Sequence, residues 1–295
     1  MSRKYDEYIR DDNMDINWFP GHMKKTRELV KNNLKLVDVV VELLDARIPL
    51  SSRNPEIDEI ISLKPRVLAL NKVDLADDSK TRKWIKYYKS IGINAIPIDA
   101  MKGTGISELI NECKKVTKEK MDRLAQKGIK ERPIRMMIVG VPNVGKSSLI
   151  NRLTKRKSTQ TGDKPGVTKG KQWVRLKGNL ELLDTPGILW PKFEDQEVAL
   201  KLAFSRAIKD EILDVETLAL RLIERLMEIY PENLKNRYKL EELSESALEN
   251  MEMIAKKRGF IQGKLDFDYT RTAHTVLNEF REGKLGKITL ETIEV

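Results

Sequence analysis

Residues 140–147 read GVPNVGKS: Gly140, four variable positions, then Gly145, Lys146 and Ser147. This spacing wraps successive backbone N–H groups around phosphate oxygens, helped by the N-terminus of the helix that follows. The amides of Pro142–Ser148 that carry hydrogen (Asn143, Val144, Gly145, Lys146, Ser147 and Ser148) line such a cradle, and Pro142 shapes its turn. Lys146 supplies positive charge for β- and γ-phosphates, and Ser147 a hydroxyl for Mg²⁺. An ordinary Gly-rich turn with a solvated lysine is the bland alternative. The apolar run IRMMIVG before the loop and the helical pattern after it are the context that the phosphate reading requires. The loop alone does not separate ATP from GTP.

Further along, LLDTPG at 182–187 closes another apolar run. Asp184 is placed to hold Mg²⁺ through a water, and the Gly187 N–H to reach a γ-phosphate. Between the two motifs lies the polar loop GDKPGVTKGKQW, where Thr168 offers a second hydroxyl to Mg²⁺. Ser158, Thr159 and Thr161 are weaker rivals, being nearer the end of the preceding helix.

A third stretch, NKVDL at 71–75, lies upstream of both. The Asp74 carboxylate can accept from guanine N1–H and N2–H₂. Adenine lacks that donor pair and leaves the carboxylate partly unpaired. Asn71 can fix the loop and touch the base edge, and the Lys72 stem can cover the ring. One strand later, Asp99 and Ala100 in IDA bring a backbone N–H toward guanine O6. Either stretch alone reads equally well as a polar loop at a strand end; together with the phosphate loop they form a guanine-nucleotide set.

These loops must be held by a sheet. Apolar segments at 37–46, 65–72, 94–100, 134–140, 171–176 and 180–185 read as strands. The first four are nearly continuous in apolar character, as for strands covered on both faces. Helical patterns follow the second, third and fourth, which implies an α/β fold with a mostly parallel sheet. The pair 171–185, turning near KGN, reads as an antiparallel hairpin at one edge. The base-reading loops precede the phosphate loop, whereas the usual order begins with the phosphate loop. The expected fold is therefore a circularly permuted P-loop GTPase domain over 14–213 with a six-stranded sheet. A small all-helical domain follows over 214–295, and residues 1–13 form an N-terminal extension. VDVVVELLDA at 37–46 supplies the strand that ordinarily follows DTPG.

The chain has 295 residues and a formal net charge of +10. Residues 214–295 carry a net −3, so the preceding 213 carry +13. This asymmetry suits a polyanionic partner such as nucleic acid, or simply a solvated basic surface. No apolar run approaches the roughly 20 residues that span a bilayer. The single cysteine, Cys113, excludes an intrachain disulfide and fits a reducing cytoplasm. No second catalytic constellation is present, which argues against a metabolic or RNA-modifying enzyme driven by GTP.

The motifs NWFPGHMKK (17–25), LLDARIPLSSRNP (43–55), NKVDL, GVPNVGKSSLINRL, KPGVTKG, LLDTPGILWPKF (182–193) and EFREGKLGKITLE (279–291) resemble those of the circularly permuted ribosome biogenesis GTPase A family of bacteria. The resemblance implies GTP/GDP and Mg²⁺ as ligands, and particle-stimulated GTP hydrolysis. It also implies binding to the large ribosomal subunit precursor, its 23S rRNA and ribosomal proteins, without DNA or membrane. The position after DTPG, often a water-orienting glutamine in small GTPases, is Ile188 here. His22 is the internal candidate to orient that water, and the resemblance supports it; a capping or RNA-facing histidine is the alternative. His274 reads as a surface or packing residue. Asn143 resembles an asparagine that ligates K⁺ in related GTPases. Basic stretches 114–135 and 154–157, with Arg271, Arg281, Lys284 and Lys287, are candidate rRNA contacts or solvated faces. A GTP-regulated protein-binding scaffold without an RNA role is the competing function.

Overall fold

The computed structural model describes residues 28, 31–61, 64–154, 173–183, 195–262 and 266–293. Every residue of strand β1 (Val39–Asp45) is buried, because strands pair on both of its edges and helices cover its faces. It runs parallel to β2 (Arg66–Asn71) on one side and to β4 (Ile134–Val139) on the other. The sheet continues through β3 (Ala95–Pro97) at one end and through β6 (Leu180–Leu183) and β5 (Trp173–Leu176) at the other. Its order is β3-β2-β1-β4-β6-β5. Only β5 is antiparallel, paired with β6 through the expected edge hairpin. Asn179 and Gly178 turn that hairpin with positive φ. The six strands fall where the apolar runs place them, and β1 fills the slot beside the phosphate-loop strand that the permuted order demands.

The connections are helices: α1 (Glu56–Ile61) before β2, α2 (Asp78–Ser90) after it, α3 (Ile106–Gln126) after β3 and α4 (Lys146–Leu153) after β4. Asp77 caps α2 by accepting from the N–H groups of Ser79 and Lys80. Thr81, Trp84 and Tyr88 then recur at helical spacing on its buried face. Helix α3 buries Ile106, Leu109, Cys113 and Thr117, and its basic remainder buries no residue. Parallel strands joined this way gather their C-terminal ends on one edge, and the ligand loops of open α/β sheets sit there. The ends of β1, β2, β3 and β4 lead into residues 45–52, 71–75, 98–105 and 140–145.

The chain divides into two compact units, with boundaries at residues 191/192 and 290/291. The sequence reading placed the domain boundary at 214; here α5 (Gln196–Phe204) belongs with the helical unit. There, α6 (Val215–Ile229) is capped by Asp214 and buries Leu218, Leu222, Ile223 and Leu226. It packs against α5, α7 (Pro231–Tyr238), α8 (Ala247–Arg258) and α9 (Tyr269–Arg281). Pro231 starts α7, where its missing N–H has no intrahelical partner to lose. The unit also holds a ribbon of two short strands, β7 (Ile261–Gln262) and β8 (Asp266–Phe267).

Arg281 is a staple of this unit. Its guanidinium donates to both Asp210 oxygens at 2.7 Å and to the carbonyls of Ala203 and Phe204. Its guanidinium is spent internally, so Arg281 is a packing residue and not the rRNA contact its place in the sequence suggests. Lys284 pairs with Glu282, and Arg271 lies over the Phe260 ring at 4.3 Å. Within the basic stretch 114–135, Lys120 and Arg132 are likewise spent on buried Asp38. Although burial pushes the Asp38 carboxyl up, these partners hold it at about 2. His274 is exposed on α9.

Candidate functional site

The phosphate loop leaves β4 through two glycines that no other residue could replace. A Cβ on Gly140 meets the Leu43 carbonyl oxygen at 2.5 Å, and one on Gly145 meets the Asn71 amide nitrogen at 2.3 Å. Gly145 has φ +104°, in the region that L side chains rarely adopt. Asn143 also has positive φ, at 55°. Lys146 begins α4 and curls back over the loop, donating to the carbonyls of Gly140 and Val141 at 2.8 and 2.7 Å. Burial pushes its ammonium down to about 8. A half-buried ammonium held by the neutral carbonyls of Gly140 and Val141 fits an anionic ligand, and a phosphate supplies the countercharge that those carbonyls lack. Ser147 is exposed, Ser148 and Pro142 are half-buried, and Val144 is buried beneath the loop.

The two ends of the candidate site meet at Asn71. Its Nδ2 donates to the Val144 carbonyl at 2.8 Å, and its Oδ1 accepts the Ala100 N–H at 3.0 Å. One buried amide thus joins the base-side loop, the phosphate loop and the loop after β3. Asn71 was expected to fix the loop and also touch the base; both ends of its amide serve the protein. The Ala100 N–H, expected to face guanine O6, donates to Asn71, so reading O6 through it requires a shared donor. Lys72, with φ 63°, lays its stem along the site and donates to the Asn143 carbonyl and to Asp45, both at 2.9 Å. Asp74 is half-buried, and its carboxylate has the Lys102 ammonium 3.6 Å away. Asp99 organises its own turn, accepting the N–H groups of Met101 and Lys102 at 2.9 and 2.8 Å. Its other oxygen is buried without a hydrogen-bond partner, 3.7 Å from the Lys102 ammonium.

Three residues of this constellation were given no role by the sequence reading. Asp45 ends β1 and binds Arg47 through both oxygens, as well as Lys72. Burial pushes its carboxyl up, but Arg47 and Lys72 overcome that and hold it far below the usual carboxylate range. Arg47 is itself fully buried. The sequence signal was available: a charged triplet, DAR, closing an otherwise apolar strand. Arg152, on α4, donates to the Ala100 carbonyl at 3.4 Å and to that of Met101, tying the phosphate helix to the base-side loop. In sequence it looks like any helix-surface arginine. His22, Thr168, Asp184, Gly187 and Ile188 lie outside the described residues, as does the basic run 154–157 apart from Thr154.

Comparison with known proteins agrees with this geometry. A family profile described as "50S ribosome-binding GTPase" matches residues 135–257, beginning on the phosphate-loop strand and leaving the base-side loops upstream. The chain is 54% identical over 281 residues to "Ribosome biogenesis GTPase A" of Bacillus cereus, covering 95% of each protein. Among solved structures, it resembles the GNP-bound YlqF from T. maritima (TM-score 0.63, 28% identity, 91% of this chain and 98% of that one). A GDP-bound YlqF structure matches with TM-score 0.62 and 29% identity, covering 90% of this chain and 100% of that one. The chain therefore belongs to the ribosome biogenesis GTPase A family, enzymes that hydrolyse GTP on a circularly permuted P-loop fold.

Proposed function

We propose that this GTPase is a nucleotide-controlled switch that binds the precursor of the large ribosomal subunit, through its 23S rRNA and ribosomal proteins, and promotes late assembly in the cytoplasm. The observation that carries the reading is end-to-end similarity to relatives named for ribosome biogenesis, covering 95% of the chain. The closed loop set around Asn71 and the net +13 outside the C-terminal 82 residues support it. Exposed Lys114, Lys115, Lys118 and Arg123 on α3 remain the proposed phosphate contacts of the basic stretch.

In the proposed site, Asp74 accepts from guanine N1–H and N2–H₂, and Lys72 covers the ring. The amides of the phosphate loop bind the phosphate oxygens, and Lys146 turns from its carbonyls onto the β- and γ-phosphates. Ser147, Thr168 and Asp184 are the proposed holders of Mg²⁺, which when bound neutralises charge between those phosphates. The Gly187 N–H addresses the γ-phosphate. An aliphatic side chain at 188 cannot orient water, so His22 is the proposed group that does. Asn143 is the proposed K⁺ ligand; at saturating GTP, hydrolysis is expected to rise when K⁺ replaces Na⁺, and equal rates remove that ion from the account.

DTPGILWPKF runs directly into the helical unit, so ordering of this segment by GTP offers a route to a change in particle affinity. Pull-down of large-subunit particles should be stronger with a non-hydrolysable GTP analogue than with GDP. Equal recovery ends the switch, and no recovery in either state favours the protein-binding scaffold.

A further inference from the structure

After Leu290 the chain leaves the helical unit, and residues 291–293 belong to the GTPase unit. Glu291 is buried there. Its carboxylate accepts the N–H of Leu50 at 2.6 Å, the N–H of Ser51 at 3.0 Å and the Ser51 hydroxyl. Its backbone carbonyl accepts the Trp84 indole N–H at 3.3 Å, and Ile293 packs against the cluster containing Leu44, Leu70 and Trp84. A buried carboxylate is costly unless donors surround it, so this arrangement fixes the loop as firmly as the tail.

That loop is the one leading out of Asp45. The Ser52 hydroxyl accepts the Asp45 N–H at 3.0 Å, the Ser52 N–H returns to the Ile48 carbonyl at 2.9 Å, and the Tyr88 hydroxyl holds the Pro49 carbonyl at 2.9 Å. Asp45 in turn holds Lys72 against the Asn143 carbonyl. We propose that Glu291 is a positioning residue for nucleotide binding: by capping the 50–51 turn from the C-terminal end of the chain, it sets Asp45 and, through it, Lys72. The proposal rests on the reading of 71–74 as the base-side loop.

The test uses the full chain with Glu291→Ala, Lys72→Met and the double variant, measuring GDP affinity and steady-state GTP hydrolysis. Glu291→Ala should weaken GDP about tenfold, the equivalent of one charge-assisted hydrogen bond in the site. It should raise KM for GTP alike and leave kcat at saturating GTP unchanged. In the Lys72→Met background, the same substitution should have no further effect, because the residue it acts through is gone. Equal losses in both backgrounds, or no loss in either, overturn the proposal. Ser51→Ala removes one donor and leaves both backbone N–H groups; it should cost about threefold with the same background dependence. It carries the test if Glu291→Ala does not fold. Unchanged affinity in Lys72→Met alone overturns the base-loop reading, and the proposal with it. A weakened Lys72→Met beside an unaffected Glu291→Ala overturns only the role of the tail.

Discussion

Replacing Asn71 by alanine removes the joint between the two halves of the proposed nucleotide site. The side chain is 3% exposed, as is Ala100, and Val144 is 1% exposed. Water therefore has little access to replace what the amide gives. Two hydrogen bonds are lost, at 2.8 and 3.0 Å, and the Val144 carbonyl and Ala100 N–H are left without that partner. A neutral hydrogen bond contributes about 1 kcal/mol net, and an orphaned buried group costs about 1–3 kcal/mol. With partial relaxation, the total is about 2–4 kcal/mol. If it is felt in the geometry of the site, GDP affinity falls by about 30- to 1,000-fold. The assay is a fluorescence titration with a labelled GDP, beside a thermal melt that shows how much of the loss appears as stability. Asn71→Asp is the informative companion. It keeps an acceptor for the Ala100 N–H but sets a carboxylate oxygen against the Val144 carbonyl, so it should bind no better than the alanine variant. A folded Asn71→Ala protein that binds GDP within about threefold of the wild type refutes the claim that this amide couples the loops.

Lys146 gives a pH signature. Its ammonium sits at about 8 in the free protein, and phosphate raises it. GDP binding should therefore take up protons, and more at pH 8.5 than at pH 7; calorimetry in buffers of different ionisation enthalpy reads this directly, and an uptake that does not rise with pH contradicts the geometry. Glu42, buried in β1, is pushed up to about 7 by burial against the opposing pull of Arg66 and Arg53. A raised carboxyl pKa gives stability that is present below about 4.5 and lost as pH rises through 7. Glu42→Gln should accordingly melt above the wild type at pH 8 and match it near pH 4.5. Arg281→Met removes the staple onto Asp210, Ala203 and Phe204 and should destabilise the helical unit by about 3 kcal/mol. Particle affinity of the folded fraction should be unchanged; lost binding with an unchanged melt restores Arg281 as an RNA contact.

The sequence by itself determined the strand positions, the edge hairpin, the phosphate loop and the permuted order. Each is encoded locally: apolar runs bury strands, glycines permit the turn at 140–145, and a helix follows within a few residues. The helix Pro231–Tyr238 is hidden in the chain by its opening proline, a residue that interrupts helices everywhere but in their first turn. Only the tertiary structure decided which charges are free for ligands. Arg281, Lys120 and Arg132 look like surface cations in the chain, yet carboxylates 71, 82 and 94 positions away claim them. Asn71 acquires its joining role from a carbonyl 73 residues downstream, and Glu291 from a turn 240 residues upstream. Such pairings depend on how the sheet brings distant loops together, and neither residue type nor spacing along the chain carries that information.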